Sequence, residues 1–341
     1  MNPAYSGDRP LSLTMGEPAG IGGETTIKAW LRRNEGVPPF FTVDDPERIE
    51  ELAQGMGLTA PVEVIDSPKQ AISAFAQRLP VMARPLAARA VPGKPDPANC
   101  KTVISSIETA LAHVKSGGAA AIVTNPINKM VLHEAGFGFP GHTEFLAHLA
   151  GRNIRPVMMM ACPGLRVALV TIHVSLREAI ESVDREAIVE TATITEAALR
   201  DDFAIARPRL AVAGLNPHAG EGGVMGPEDL EIVAPAVEAI AAKGIDVFGP
   251  VPADTLFSPQ RRKEYDAAVC LYHDQALIPI KAIAFESAVN ITLGLGFVRT
   301  SPAHGTAFDI AGGGRADETS LIEALKTAAE MAKRRAAAES A

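Results

Sequence analysis

The sequence is short of cysteine. Three stand in 341 residues, Cys100, Cys162 and Cys270, widely spaced and with no Cys-x-x-Cys among them. That excludes a disulfide framework and makes a reduced, cytoplasmic setting the expectation. Positive charge is also scarce: 32 Lys and Arg against 40 Asp and Glu give a formal charge of −8. A nucleic-acid surface needs a basic stripe to replace counterions around phosphates, so a small-molecule partner is expected instead. Long hydrophobic runs are missing too. The longest apolar stretch, 156–174, is interrupted by Pro163, Gly164 and Arg166, and reads as two strands around a turn rather than a membrane span. The first ten residues lack the basic start and apolar core of a secretory signal. There is no internal repeat, and the alanine-rich stretch from about Ser320 reads as a helix with a solvated Lys333-Arg-Arg end.

Short apolar runs alternate with helical patterns along a chain that is 47% hydrophobic. This is the mark of βα repetition, with a largely parallel sheet covered on both faces and enough apolar material for two lobes. A strand from Leu11 to Met15 runs into the glycine-rich loop Gly16–Gly23 and then a helix to about Arg33. Helical spacing joins Val103, Ile107, Leu111 and Val114. A buried strand is expected from Ala119 to Thr124, with a helix opening near Pro126, where a missing N–H costs nothing. Further strands are expected at 167–172, 210–215 and 267–272, and the prolines of Val91–Pro97 force a loop or arm.

His173, His218 and His273 each follow one of these last three strands. In parallel sheets the carboxyl ends of strands line the ligand crevice, so the three imidazoles are candidates for a shared divalent metal with open positions for substrate oxygens. A lone histidine is more often simply satisfied by its neighbours; recurrence at three equivalent places is what raises the metal reading. Cys270 stands three before His273, but alternation on a strand turns it to the other face, so it reads as core.

Two segments suggest anion binding. Pro140-Gly-His-Thr-Glu-Phe145 precedes a helix, whose free amides and dipole attract phosphate or carboxylate, with His142 and Thr143 adding hydrogen bonds. Capping by Thr143 is the plain alternative. Lys281, Asn290 and Arg299 punctuate an apolar strand-like stretch and suggest a polar cleft. The Gly16–Gly23 loop fits neither a Walker loop nor G-x-G-x-x-G. His304-Gly-Thr-Ala-Phe-Asp-Ile-Ala-Gly-Gly-Gly-Arg315 has glycines that let a ligand approach the backbone, yet it opens no Rossmann unit.

Taken together these blocks resemble the 4-hydroxythreonine-4-phosphate dehydrogenases over nearly the whole chain. The most specific are Pro140–Phe145, Leu215-Asn-Pro-His-Ala-Gly-Glu-Gly-Gly223, Pro252-Ala-Asp-Thr-Leu-Phe257, Tyr272-His-Asp-Gln275, Val289-Asn-Ile-Thr-Leu-Gly294 and His304-Gly-Thr-Ala307. The resemblance implies a two-lobed, non-Rossmann α/β/α fold like that of isopropylmalate and isocitrate dehydrogenases. One lobe, 1–127 with 296–341, would carry both termini and the adenosine loop, and 128–295 would hold metal, substrate and the dimer contact. It implies a homodimer in which His173, His218 and His273 bind zinc, magnesium, cobalt or manganese, His273 reaching the neighbouring subunit's site. Substrate would meet His142, Thr143, Lys281, Asn290 and Arg299. NAD, with NADP as the alternative, would meet His304, Gly305, Thr306 and Gly312.

The implied reaction is NAD-dependent oxidation of the C3 hydroxyl of 4-phosphohydroxy-L-threonine followed by decarboxylation, in pyridoxal phosphate synthesis. Lys281 and Asp254 are the catalytic candidates, with Asp254 or Asp274 orienting a ligand histidine. The sequence departs from many members at Gly23 and Gly296, where they have proline. Its Thr124-Asn-Pro-Ile-Asn-Lys129 matches related enzymes, which keeps open a paralogue acting on a threonate or erythronate 4-phosphate or on a cis-diol. A phosphatase or a metabolite-binding protein would need no adenosine loop.

Overall fold

The computed structural model describes residues 9–139, 141–151 and 155–339. They belong to two compact units, Met1–Ile154 with Leu295–Ala336, and Arg155–Gly294 with Ala337–Ala341. The first boundary therefore falls well after the expected 127/128. The reason is apolar: Val131, Leu132, Phe145 and Leu146, from the segment expected to open the second lobe, are buried in the first unit's core beside Met15, Phe41, Ile107 and Ile122.

The first unit begins with β1 (Leu11–Thr14), α1 (Gly22–Leu31), β2 (Phe40–Asp44), α2 (Pro46–Gly55), β3 (Val62–Val64), α3 (Pro68–Ala74) and β4 (Leu79–Ala83). It continues with α4 (Cys100–Lys115), β5 (Ile122–Val123), α5 (Lys129–Glu134) and α6 (His142–Ala150). Strands β1 and β2 are buried at every residue, as they must be with helices over both faces. Helix α2 starts where Pro46 follows Asp45, whose carboxylate accepts from the amides of Glu47 and Arg48, a capped first turn. Ser106 of α4 ties the helix to the sheet, donating to the Val43 carbonyl at 2.7 Å and accepting from the Met15 amide at 3.0 Å.

The second unit runs β6 (Val157–Cys162), β7 (Leu165–Leu169), α7 (Leu176–Ser182), α8 (Arg185–Asp201), β8 (Arg209–Ala213), α9 (Ala234–Ala242) and β9 (Asp246–Val251). Then come α10 (Ala253–Leu256), β10 (Ala267–Cys270), α11 (His273–Ala284) and β11 (Val289–Leu293). The chain re-enters the first unit with β12 (Arg299–Pro302) and α12 (Thr319–Glu339).

The α/β expectation holds. In the first unit the strand order is β3-β4-β2-β1-β5-β12, with parallel pairing throughout. In the second it is β11-β6-β7-β10-β8-β9, in which β7, β10, β8 and β9 are parallel while β6 pairs antiparallel with both neighbours. The broken apolar stretch is the β6–β7 hairpin, turning at Gly164 with φ +79°. No helix among the described residues is long and apolar enough to cross a membrane.

Three local expectations need correction. Pro126 opens no helix: its carbonyl accepts from the Glu17 amide at 2.8 Å, and α5 starts only at Lys129, capped by the Asn128 side chain. The stretch from Lys281 to Arg299 is not one strand, since Lys281 lies on α11, Asn290 on β11 and Arg299 at the start of β12. Cys270 is core, at 0% exposure. Strand alternation is not why it misses His273, which is the first residue of a helix.

Candidate active site

In the second unit the three histidines do follow parallel neighbours β7, β8 and β10, but the backbone that presents them is unusual. His173 has φ +24° and His218 φ +55°, left-handed conformations that cost a β-carbon-bearing residue of order 1–3 kcal/mol. Strain kept at two such positions marks a segment built to hold its side chains. His173 and His273 approach each other with ring centroids 5.9 Å apart. Both border a cavity of about 290 Å³, together with Thr171, Leu176, Tyr272 and Asp274. The Nδ1 of His273 lies 2.7 Å from Asp274 Oδ1, which fixes the ring. Of the two aspartates proposed to orient a histidine, Asp274 makes that contact. Asp254 is exposed on α10, a helix packed against the segment that carries His218.

Buried polar groups lace these strand ends together. Thr171 donates to the Leu271 carbonyl at 2.7 Å. Gln275, 6% exposed, accepts from the Leu271 amide at 2.7 Å and donates to the Gly214 carbonyl at 2.7 Å. Asp229, 2% exposed, takes the amides of Leu215 and Asn216. Thus Thr171, Gln275 and Asp229 fix the loops that bear His173, His273 and His218. Sequence reading missed all three; the only signal was Gln275 inside the Tyr272–Gln275 block.

Among the described residues no group of three or more His, Cys, Asp or Glu is arranged to hold a metal ion. Neutral imidazoles such as these suit a borderline divalent ion. The donor types fit a metal.

The first unit contains the anion candidates. Helix α6 starts at His142 with Gly141 as its N-cap and no side chain capping it, so Thr143 at its second position does not cap it. His142 Nε2 is buried with no hydrogen-bond partner. Burial, reinforced by the charges of Arg299 and Lys129, holds this imidazole's pKa well below the ordinary 6.5. Arg299 is 3% exposed and directs Nη2 and Nε onto Thr124 Oγ1 at 2.6 and 3.2 Å. Burial pushes its pKa down to about 10 despite the opposing Glu144 carboxylate. In the second unit Lys281 is exposed on α11, with its ammonium 5.9 Å from the Phe285 ring centroid. Asn290 is half-buried, with a buried Oδ1 that has no partner.

The loop from His304 to Arg315 also lies in the first unit, interlocked with two others. Ile21 N–H donates to the Thr306 carbonyl, and Gly93 N–H to that of Ala19. A Cβ at Gly20 would sit 2.9 Å from the Thr306 carbonyl oxygen, and one at Gly312 2.7 Å from Pro92 Cβ; glycine is what lets these segments touch. Beside them, at the carboxyl ends of β1, β2 and β4, lies a cavity of about 340 Å³ bordered by Pro18, Gly20, Arg48, Arg89, Pro92 and Gly312. Arg48 is locked to Asp44, its Nη1 donating to both carboxylate oxygens at 2.7 and 2.9 Å. His304 Nδ1–H meets the exposed Gly305's carbonyl at 3.0 Å, leaving a buried, unpartnered Nε2. A cradle walled by glycine, with an orphaned imidazole nitrogen on its loop, fits a nucleotide.

The family described as pyridoxal phosphate biosynthetic protein PdxA matches residues 37–328. This chain belongs to that family. It is 53% identical, over 96% of each chain, to a 4-hydroxythreonine-4-phosphate dehydrogenase of Methylorubrum populi. The PdxA-family fold extends to the crystal structure of 4-hydroxythreonine-4-phosphate dehydrogenase from Klebsiella pneumoniae, with TM-score 0.85, 37% identity and coverage of 95% of this chain and 99% of that one. It extends further to a terephthalate 1,2-cis-dihydrodiol dehydrogenase from Burkholderia xenovorans, at TM-score 0.63, 27% identity and coverage of 94% and 98%.

Proposed function

We propose that this protein oxidises the C3 hydroxyl of 4-phosphohydroxy-L-threonine with NAD and releases 3-amino-2-oxopropyl phosphate and carbon dioxide, a step of pyridoxal phosphate synthesis. The observation that carries the phosphate part is the buried Arg299 beside His142 at an uncapped helix N-terminus. A guanidinium held in low dielectric at a helix N-terminus is placed to meet an anion.

When bound, a divalent ion would polarise the reacting hydroxyl and nicotinamide would accept the hydride. The chain's own residues do the rest. Thr124 fixes the Arg299 fork; His142, kept neutral, donates one hydrogen bond to a phosphate oxygen from Nε2 while Nδ1 lacks the proton; Thr143 and the free amides of α6 supply others. Asn290 offers its buried amide to the substrate's polar groups. Lys281 is the proposed acceptor of the hydroxyl proton, or the charge that steadies the enolate left after decarboxylation, with Asp254 as the second candidate.

The metal would be held by His173 and His218 with His273 of the partner subunit. Nine of the thirteen large apolar side chains exposed among the described residues lie between Val174 and Phe285, including Leu176, Ile278 and Phe285. Such a concentration supports a subunit contact on this unit. Mixing His273→Ala with His173→Ala subunits should therefore restore some activity, since one of the two sites regains all its ligands.

The decisive experiment supplies purified protein with NAD, a divalent metal and the phosphorylated substrate, and follows NADH. Unphosphorylated 4-hydroxythreonine should be a very poor substrate. Equal kcat/KM for the two would move the non-phosphorylated cis-diol reading, supported by the likeness to the dihydrodiol dehydrogenase, to first place.

A further inference from the structure

We propose that Lys129 is a phosphate-binding residue, its ammonium standing over the N-terminus of α6 and adding a second cation to the anion site of His142 and Arg299. The inference deepens the function above and rests on it. Lys129 is the first residue of α5, and the Asn128 side chain fixes that turn by accepting from the amides of Met130 and Val131. Its stem then crosses Gly141: a Cβ built there would lie 3.1 Å from Lys129 Cε and 3.3 Å from Nζ. Gly141 is the residue whose missing side chain leaves α6 uncapped, so the ammonium occupies the place from which a ligand would address the first amides. His142 Nε2, buried and unpartnered, belongs to the same turn. The charge of Lys129, like that of Arg299, disfavours protonation of His142, which agrees with an ammonium close at hand.

One group opposes an anion. Glu144 Oε2 would lie 3.4 Å from that same Cβ, so a carboxylate also stands at this glycine. A single guanidinium balances a monoanion, whereas a phosphate monoester near neutral pH carries close to two charges and meets Glu144 as well. A second cation is what the charge balance lacks. Arg299, locked on Thr124, sets the direction of two oxygens; Lys129, a point charge on a flexible stem, follows the third.

The test is calorimetric titration of the full chain with inorganic phosphate at constant ionic strength, on the wild type, Lys129→Gln and Lys129→Arg. Lys129 is exposed, so both variants should fold, and circular dichroism checks this. Lys129→Gln should weaken phosphate binding about tenfold to a hundredfold, the loss of one charge-assisted contact. Lys129→Arg should recover most of it, and turnover should suffer through KM far more than through kcat. Unchanged phosphate affinity in Lys129→Gln, with a wild type that binds, overturns the inference and leaves the anion site standing. A wild type that binds no phosphate overturns the anion-site reading itself.

Discussion

Replacing Arg299 by methionine should stabilise the protein while disabling it. The guanidinium is 3% exposed, and burial pushes its pKa down to about 10 against the opposing pull of Glu144. At about 1.4 kcal/mol for each tenfold change in proton affinity, the folded state penalises this charge by about 3 kcal/mol. The sign is that of a base depressed on folding: below pH 10 both states are protonated and the penalty is complete, and it is relieved only as pH rises above about 10 toward the ordinary arginine range. Methionine has similar length and no charge, and it forfeits the guanidinium's hydrogen bonds, those to Thr124 among them, about 1–2 kcal/mol. The net expectation is a gain of about 1–2 kcal/mol in urea denaturation at pH 7.5 without phosphate, as when buried ions are replaced by apolar groups elsewhere. Added phosphate should stabilise the wild type and leave Arg299→Met unmoved. If the variant instead loses more than about 2 kcal/mol in phosphate-free buffer, Arg299 is a structural tie and the argument from stored electrostatic cost fails.

Acid should weaken the fold through His142 and His304, whose pKa values burial holds below 6.5. The unfolded chain takes up those protons and the native one does not, so stability should fall as pH drops below about 6.5, and His142→Asn should flatten that decline between pH 6.5 and 5. Gly20→Ala forces a methyl to 2.9 Å from the Thr306 carbonyl oxygen; a cost of about 1–3 kcal/mol and weaker quenching of NADH fluorescence titrations are expected, and wild-type NADH affinity would contradict the cofactor assignment of that loop. Gln275→Leu strands the Leu271 amide and the Gly214 carbonyl, which should lower the urea-denaturation free energy by about 2–4 kcal/mol; an unchanged midpoint would show that the strand ends are held by something else.

The strands were legible because their chemistry is local. Leu11–Thr14 and Ala267–Cys270 are apolar runs bounded by glycine or polar turns, and a strand buried on both faces can be written in few other ways. Helix starts were harder. Pro126 has the right residue type for a first turn, but the Glu17 amide claims its carbonyl from over a hundred positions away, a tertiary contact that no local pattern contains. The same holds for the lobe boundary: Val131 and Phe145 are apolar whichever core they join, and only the aromatic group of Phe137, Phe139 and Phe145, with centroids 5.0–5.4 Å apart, decides for the first unit.

The site shows the same division between residue type and placement. Histidines after strand ends can be read from a sequence, since the βα rhythm says where those ends are. The φ of His173 and His218 cannot, because left-handed backbone at a non-glycine residue is imposed by neighbours such as Asp229 and Gln275 that hold the loop from outside it. Whether three imidazoles share one ion is decided a level further out. Among the described residues no three such groups are arranged to hold an ion, so in the proposed function the ligand set is a property of the subunit contact. Substitutions at exposed Ile278, which does not border the cavity of His173 and His273, should then reduce metal affinity together with dimer content, at matched protein concentration. Loss of dimer with full retention of metal would place all the ligands back within a single chain.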